Sequence, residues 1–269
     1  MSKKFFRINL LQGFLYPLSA PRRLLAAWLV LPVSLAVLVP PILFGLGLGG
    51  TLSLDLHQGL GLTLTVLAVC LVVGSIPFTY LAGYLLRCRK QVMNGNSVLP
   101  PWNEAGKLLQ DGGNMDALGL MFGLPTLFFL GLGLTVLVAP LTHLSTHHTW
   151  IALVLALFGS GAGLLFLSLA LMYYLFVLLV APMATLRLAL GSGPWQAVQM
   201  TGVLQDIGRG WGDYLLCCIL VWGASIAFQL AQGAFFPLIL VSFPAQVYLQ
   251  LVWAHLLGQY ARAYLSERI

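Results

Sequence analysis

Histidine, glutamine, aspartate and cysteine are the side chains of this chain whose types and spacing could do chemistry. His143, His147 and His148 stand together, and two imidazoles four residues apart would share one helix face able to bind zinc, copper, haem iron or a chlorin magnesium. No Cys, Asp or Glu lies nearby to complete the coordination and its supporting shell. The expectation is a polar loop, with no cofactor. Gln246, Gln250 and His255 follow at spacings of four and five, roughly one helix face, in a region that also carries Gln229, Gln232 and Gln259. An ionisable group inside apolar sequence could move a proton, but polar groups in lipid usually satisfy one another across helices. Interhelical hydrogen bonding is the expectation for these intramembrane polar residues.

Two pairs of acids, Asp111 with Asp116 and Asp206 with Asp213, precede apolar blocks. Just ahead of helix N-termini they would face the positive end of the helix dipole and cap free N–H groups. Cys70, Cys88, Cys217 and Cys218 lack metal-type spacing, and neighbours such as Cys217 and Cys218 rarely bridge each other. They read as packing residues. Gly45, Gly47, Gly49 and Gly50, or Gly131 and Gly133, suit close helix packing. None has the strand before it and the lysine after it that a phosphate loop requires. No catalytic arrangement emerges, so the chain is expected not to be an enzyme.

The elements that must position these residues are set by composition. The chain is 59% hydrophobic and 7% charged, with a mean hydropathy of +0.94, whereas soluble domains carry about 25% charged residues. Apolar blocks of 20 or more residues, without polar alternation, specify helices rather than barrel strands in a bilayer. The net charge of +6 accompanies basic residues beside those blocks. Anionic lipid headgroups are therefore the expected partner, and nucleic acid is not.

A ruler of roughly 20 residues per crossing cuts the chain into spans over 24–48, 60–86, 117–141, 150–186, 214–230 and 235–260. The 70 residues between Asp116 and Arg187 contain no Asp, Glu, Lys or Arg. Their later part, Trp150 to Leu186, is overlong for one crossing, and Gly159, Ser160, Gly161 and Gly163 offer a place to reverse. Charge argues for one crossing. The loops over 49–59, 142–149 and 231–234 then lie outside without a single Lys or Arg, and every basic residue lies inside. The surplus would go into tilt, a kink or a cytoplasmic extension.

The expected fold is thus all-α: a polytopic membrane bundle of six transmembrane helices in one domain, with both termini cytoplasmic. It divides into an interfacial segment over 1–23, hairpins over 24–86, 117–186 and 214–260, and cytoplasmic loops over 87–116 and 187–213. A repeat is suggested by Pro101-Trp102, Asp111 and Asp116, matched by Pro194-Trp195, Asp206 and Asp213. Each lead-in segment reads as an interfacial helix. Lys3, Lys4 and Arg7 flank Phe5, Phe6 and Ile8 in the first. In the second, Asn103 could cap a short helix ended by Gly112 and Gly113. In the third, Pro194 suits a first turn, and Ala197, Met200, Val203, Leu204 and Ile207 recur at helical spacing. Trp102, Trp195, Trp211, Phe5 and Phe6 are the candidate residues for contact with the membrane interface or a partner. No span carries the Pro-x-acid-x-x-base signature of mitochondrial-type carriers, whose hairpins this pattern otherwise shares.

Tyr80-Leu81-Ala82-Gly83-Tyr84-Leu85-Leu86-Arg87, Asn94-Gly95, Leu99-Pro100-Pro101-Trp102 and Leu108-Leu109-Gln110-Asp111-Gly112 resemble the domain of unknown function 4013 family of prokaryotic integral membrane proteins. Tyr16-Pro17 and Gly212-Asp213-Tyr214 look like family positions too. Asn94-Gly95-Asn96 stands where the family usually has Gly followed by acids. The resemblance implies a six-span bundle and no established activity. The functional expectation is a non-enzymatic scaffold, assembly or accessory subunit of a prokaryotic inner or thylakoid-type membrane, touching lipid and other membrane subunits. The alternative is a transporter or lipid-handling protein built on the glutamines and His255 of the last pair.

Overall fold

The computed structural model describes residues 8–30, 32–36, 56–143, 149–235 and 241–265. Among these every regular element is helical. A short α1 (Leu10–Leu15) leads through a 3-10 turn (Tyr16–Ser19) into α2 (Pro21–Trp28); α3 (Leu56–Met93), α4 (Ala105–His143) and α5 (Thr149–Ala189) are long helices. Short helices α6 (Pro194–Ala197) and α7 (Met200–Gly208) then precede α8 (Trp211–Ala234) and α9 (Ser242–Tyr264). The interfacial candidates Phe5 and Phe6, and His147 and His148, lie outside the described residues, as do the glycines at 45, 47, 49 and 50.

Glycine contacts fix how the long helices cross. Gly83 of α3 touches the Leu108 carbonyl of α4, and Gly112 touches the Thr79 carbonyl. Farther along, Gly133 of α4 meets Leu167 of α5, and Gly163 meets Leu137. Both pairs are therefore antiparallel. Trp222 packs on Trp253 with ring centroids 6.1 Å apart, and Gln232 Nε2 donates to Ser242 Oγ at 2.5 Å, so α8 and α9 are antiparallel as well. Phe78 against Phe243 and Val92 against Gly258 make α3 and α9 parallel. One consequence is electrostatic. Arg87, Arg89 and Lys90 at the end of α3, Lys107 at the start of α4, Arg187 at the end of α5 and Arg262 at the end of α9 all gather at one end of the bundle.

Two expectations about lead-in segments change. Gly112 and Gly113 do not end a short helix, because α4 runs unbroken from Ala105 to His143. Gly112 serves to let two backbones touch. Asp111 and Asp116 consequently lie inside α4 rather than ahead of it. Asp213 does sit in the first turn of α8, where it faces the positive end of the dipole. Asp206 lies within α7.

The overlong block is a single helix. α5 passes through Gly159 to Gly163 without reversing, over 41 residues, about 60 Å at 1.5 Å per residue. Pro182 sits inside it and withdraws one N–H from the ladder.

By length and composition three described helices could cross a membrane, over Ala105–Val138, Leu157–Ala189 and Trp211–Ala234. A fourth follows if Leu10–Ser19 and Pro21–Ala36, bent by 80°, count as one. In the first two, only 11% of the most apolar window is buried within the protein. Leu124, Leu127, Phe128, Leu165, Leu171 and Met172 point outward. An apolar surface of this kind fits a bilayer rather than water. α9 is the opposite: ten of its residues are buried, from Val247 to Ala261. Its neighbours are α1, α2, α3, α5 and α8, so its glutamines and His255 face protein more than lipid.

Candidate functional site

Four of the six cations at this end of the bundle pair with three acids of the chain. Arg87 pairs with Glu104 at 3.2 Å, Lys90 with Asp111 at 3.2 Å and Lys107 with Glu104 at 3.6 Å. Arg187 pairs with Asp206 at 3.6 Å, and here the carboxylate side chain is 0% exposed and the guanidinium 11%. Two of the lead-in segments are built alike. Arg87 Nη1 donates to the Asn103 carbonyl at 2.8 Å, and Arg187 Nη1 to the Gln199 carbonyl at 3.0 Å. Left-handed glycines, Gly95 (φ 88°) and Gly191 (φ 96°), follow α3 and α5. Thr79 donates to Asp116, and Tyr264 to Asp213. The acids flagged by their spacing thus tie segments together with ion pairs and hydrogen bonds.

Arg262, which is exposed, and Arg89 have no such pair among the described residues, and of the two Arg89 is the buried one. It is 5% exposed; among the described residues its Nε meets no acceptor and Nη1 reaches only Met115 Sδ at 3.9 Å. Among the described residues no carboxylate comes within ion-pair distance. Burial pushes its pKa down to about 10, which leaves the guanidinium charged at neutral pH. Its side chain lines a cavity of about 220 Å³ with Met115 of α4, Val177, Ala181, Pro182 and Thr185 of α5, and Gln250 and Trp253 of α9. Thr185 spends its hydroxyl proton on the Pro182 carbonyl at 2.7 Å. Trp253 Nε1 is buried without an acceptor among the described residues.

The polar row of α9 therefore splits. Gln250 enters the Arg89 cavity. Gln259 holds α1, accepting from the Asn9 N–H at 2.7 Å and donating to its carbonyl at 3.2 Å. His255 is buried, its ring 4.4 Å from that of Tyr16 and tilted by 35°. Neither imidazole nitrogen has a hydrogen-bond partner among the described residues, so this side chain packs rather than bridges. Gln246 is half-buried near the other end of α9. Cys88, buried beside this layer, has its thiol pushed up to about 12 by burial, too high for a thiolate nucleophile at neutral pH.

The three tryptophans part company as well. Trp102 stacks on Tyr84, centroids 3.7 Å apart, and donates Nε1–H to the Arg23 carbonyl at 3.1 Å. Trp195 and Trp211 stand 73% and 48% exposed. His143 closes α4, its side chain outside the described residues. Among the described residues no three His, Cys, Asp or Glu come together as a metal could require.

A second cavity, about 490 Å³, lies on another face of α9. Trp28 of α2, Ala224 and Phe228 of α8, and Val241, Pro244, Ala245, Tyr248 and Leu249 line it. Its wall is almost wholly apolar. Tyr248 turns its hydroxyl away to the Phe14 carbonyl. The Arg89 cavity was not legible as a site, since its lining comes from four helices far apart in sequence and its free donors from two of them, α3 and α9. Of the cations at 87, 89 and 90, Arg89 is the one the structure buries, and nothing local in the sequence marks it out.

Fold and surface together define an all-helical protein of membrane type, with long apolar helices around a more polar central one. The chain belongs to the family described as protein of unknown function (DUF4013), whose model matches residues 66–236. That match takes in α3 from residue 66 through α8, including Arg89 and Thr185, and stops before Gln250 and Trp253. No curated protein and no solved structure matches the chain.

Proposed function

We propose that this protein is a non-enzymatic, lipid-handling integral membrane protein whose groove beside α9 receives an acyl chain. The observation that carries this reading is the 490 Å³ cavity between α2, α8 and α9. It falls within the roughly 300–1,000 Å³ of small-molecule sites, and its apolar wall leaves a hydrocarbon chain as the complementary ligand. Six crossings in three hairpins with both termini cytoplasmic complete the proposal, in a prokaryotic inner or thylakoid-type membrane. The alternating helix directions and the cations collected at one end support that orientation. An accessory-subunit role is the second reading, favoured by the exposed rings of Trp195 and Trp211 at the same end.

Mass analysis of the protein extracted natively in mild non-ionic detergent tests the first reading. The expected species is a single chain retaining phospholipid, and Ala224→Trp, which fills the groove, is expected to cut that retention at least threefold. A defined protein partner with no retained lipid would establish the accessory role instead. Orientation is tested separately by cysteine labelling. Thr149→Cys and Ser192→Cys are expected to react from opposite sides, and labelling of both from one side would overturn the single crossing of α5.

A further inference from the structure

We infer that the Arg89 cavity is a headgroup site for an acidic phospholipid, with the phosphate seated on the Arg89 guanidinium. The inference rests on the lipid-handling reading and adds a second, charged site on a different face of α9.

Three observations point to an anion. Around this end of the bundle the chain pairs Arg87, Lys90, Lys107 and Arg187 with its own carboxylates, Glu104 serving two of them. Arg89, more deeply buried than any of the other cations at the end of α3, meets only a thioether among the described residues. A buried charge without a partner is strongly unfavourable unless something compensates it. The cavity is also rich in unused donors. Among the described residues Arg89 Nε and Trp253 Nε1 lack acceptors, and Gln250 lines the same space. Guanidinium, indole N–H and carboxamide together suit an oxyanion with several acceptor oxygens, and the planar guanidinium fork matches phosphate in particular.

The surroundings make that anion part of a lipid. Arg89 lies just beyond the apolar stretch of α3, at the end of the bundle where the cations collect. Apart from Thr185, whose hydroxyl is spent on the Pro182 carbonyl, the rest of the wall, Met115, Val177, Leu178, Ala181 and Pro182, is apolar. A free phosphate would leave that surface without a partner, while an acyl chain would cover it. Net charge selects among lipids, because a single positive charge is balanced by a headgroup with a single negative one. A zwitterionic headgroup brings its own cation into a cavity that already holds one.

The experiment is lipid titration of the full chain in non-ionic detergent, read by native mass spectrometry, with dioleoylphosphatidylglycerol and dioleoylphosphatidylcholine as the two probes. Dioleoylphosphatidylglycerol is expected to bind at least tenfold more tightly. Arg89→Met is expected to remove that preference while leaving phosphatidylcholine binding in place, and Arg89→Lys to restore part of it. Thermal unfolding checks that each variant is folded. Should Arg89→Met fail that check, Gln250→Leu combined with Trp253→Phe, which keeps the cation and removes the two neutral donors, is expected to weaken phosphatidylglycerol binding at least threefold.

An unchanged preference in folded Arg89→Met overturns the site. Competition by millimolar inorganic phosphate as effective as that of the lipid overturns the headgroup assignment in favour of free phosphate. Ala224→Trp separates the two proposals. If it leaves lipid retention intact while Arg89→Met abolishes the preference, the groove reading falls and the headgroup site stands. The reverse pattern sinks the headgroup site alone.

Discussion

Gly112→Ala is expected to leave no folded, monodisperse protein in detergent, whereas Gly113→Ala is expected to be tolerated. A Cβ on Gly112 would overlap the Thr79 carbonyl of α3, and one on Gly83 would overlap the Leu108 carbonyl of α4. Backbone cannot rotate aside as a flexible side chain can, so α3 and α4 would have to separate along their crossing. Overpacking a core typically costs about 1–3 kcal/mol when side chains can adjust, and this site exceeds that case because two main chains are in contact. The separation would also carry away Lys90 from Asp111 and Thr79 from Asp116, which bridge the same two helices. A Cβ on Gly113 meets nothing within 4 Å, and alanine in a helix interior is favoured over glycine by about 1 kcal/mol. Size-exclusion profiles and thermal unfolding of the two variants, one residue apart, provide the measurement. Equal behaviour would show that α3 and α4 do not cross at this glycine.

That pair of glycines also shows where sequence reading reaches its limit. Two adjacent glycines after a run of helical residues are a reasonable stop signal, and nothing local distinguishes a terminator from a contact point. The distinction lies in Thr79, more than 30 residues away. Apolar block length, by contrast, is a property of the sequence itself, and the one-helix reading of 150–186 agrees with the unbroken α5. The paired acids were visible, but their use was not. Spacing placed Asp111 and Asp206 near helix starts, while their partners Lys90 and Arg187 come from the preceding long helices. His255 and the glutamines were legible as a polar row in an apolar helix. Their separate fates depend on which neighbour covers each face of α9, and hydrophobic periodicity carries no record of that.

Asp206→Asn is expected to give the other large loss, through an ion pair in which both side chains are buried. The Asp206 carboxylate is 0% exposed and the Arg187 side chain 11%. Removing the negative charge leaves a cation inside the protein, for which about 3–5 kcal/mol is the usual cost. Glu104→Gln, acting on the more exposed pair with Arg87 at the matching place in the preceding lead-in segment, is expected to stay within about 1 kcal/mol. The same interaction in two settings therefore separates burial from charge. The double variant Arg187→Met, Asp206→Leu tests what the buried pair is for. Well-packed apolar replacements often equal or exceed a buried ion pair in stability, so its unfolding temperature is expected to recover most of the loss seen in Asp206→Asn. Placement should not recover with it. Arg187 also donates to the Gln199 carbonyl and occupies the space beside Gly202, where a Cβ would lie 2.7 Å from its guanidinium nitrogens. Those directional contacts hold α7 against the end of α5, and methionine cannot replace them. Faster tryptic cleavage after Arg209 in the double variant, at an unfolding temperature near that of the parent, would assign the pair to fixing the position of α7. Unchanged cleavage would assign it to packing alone.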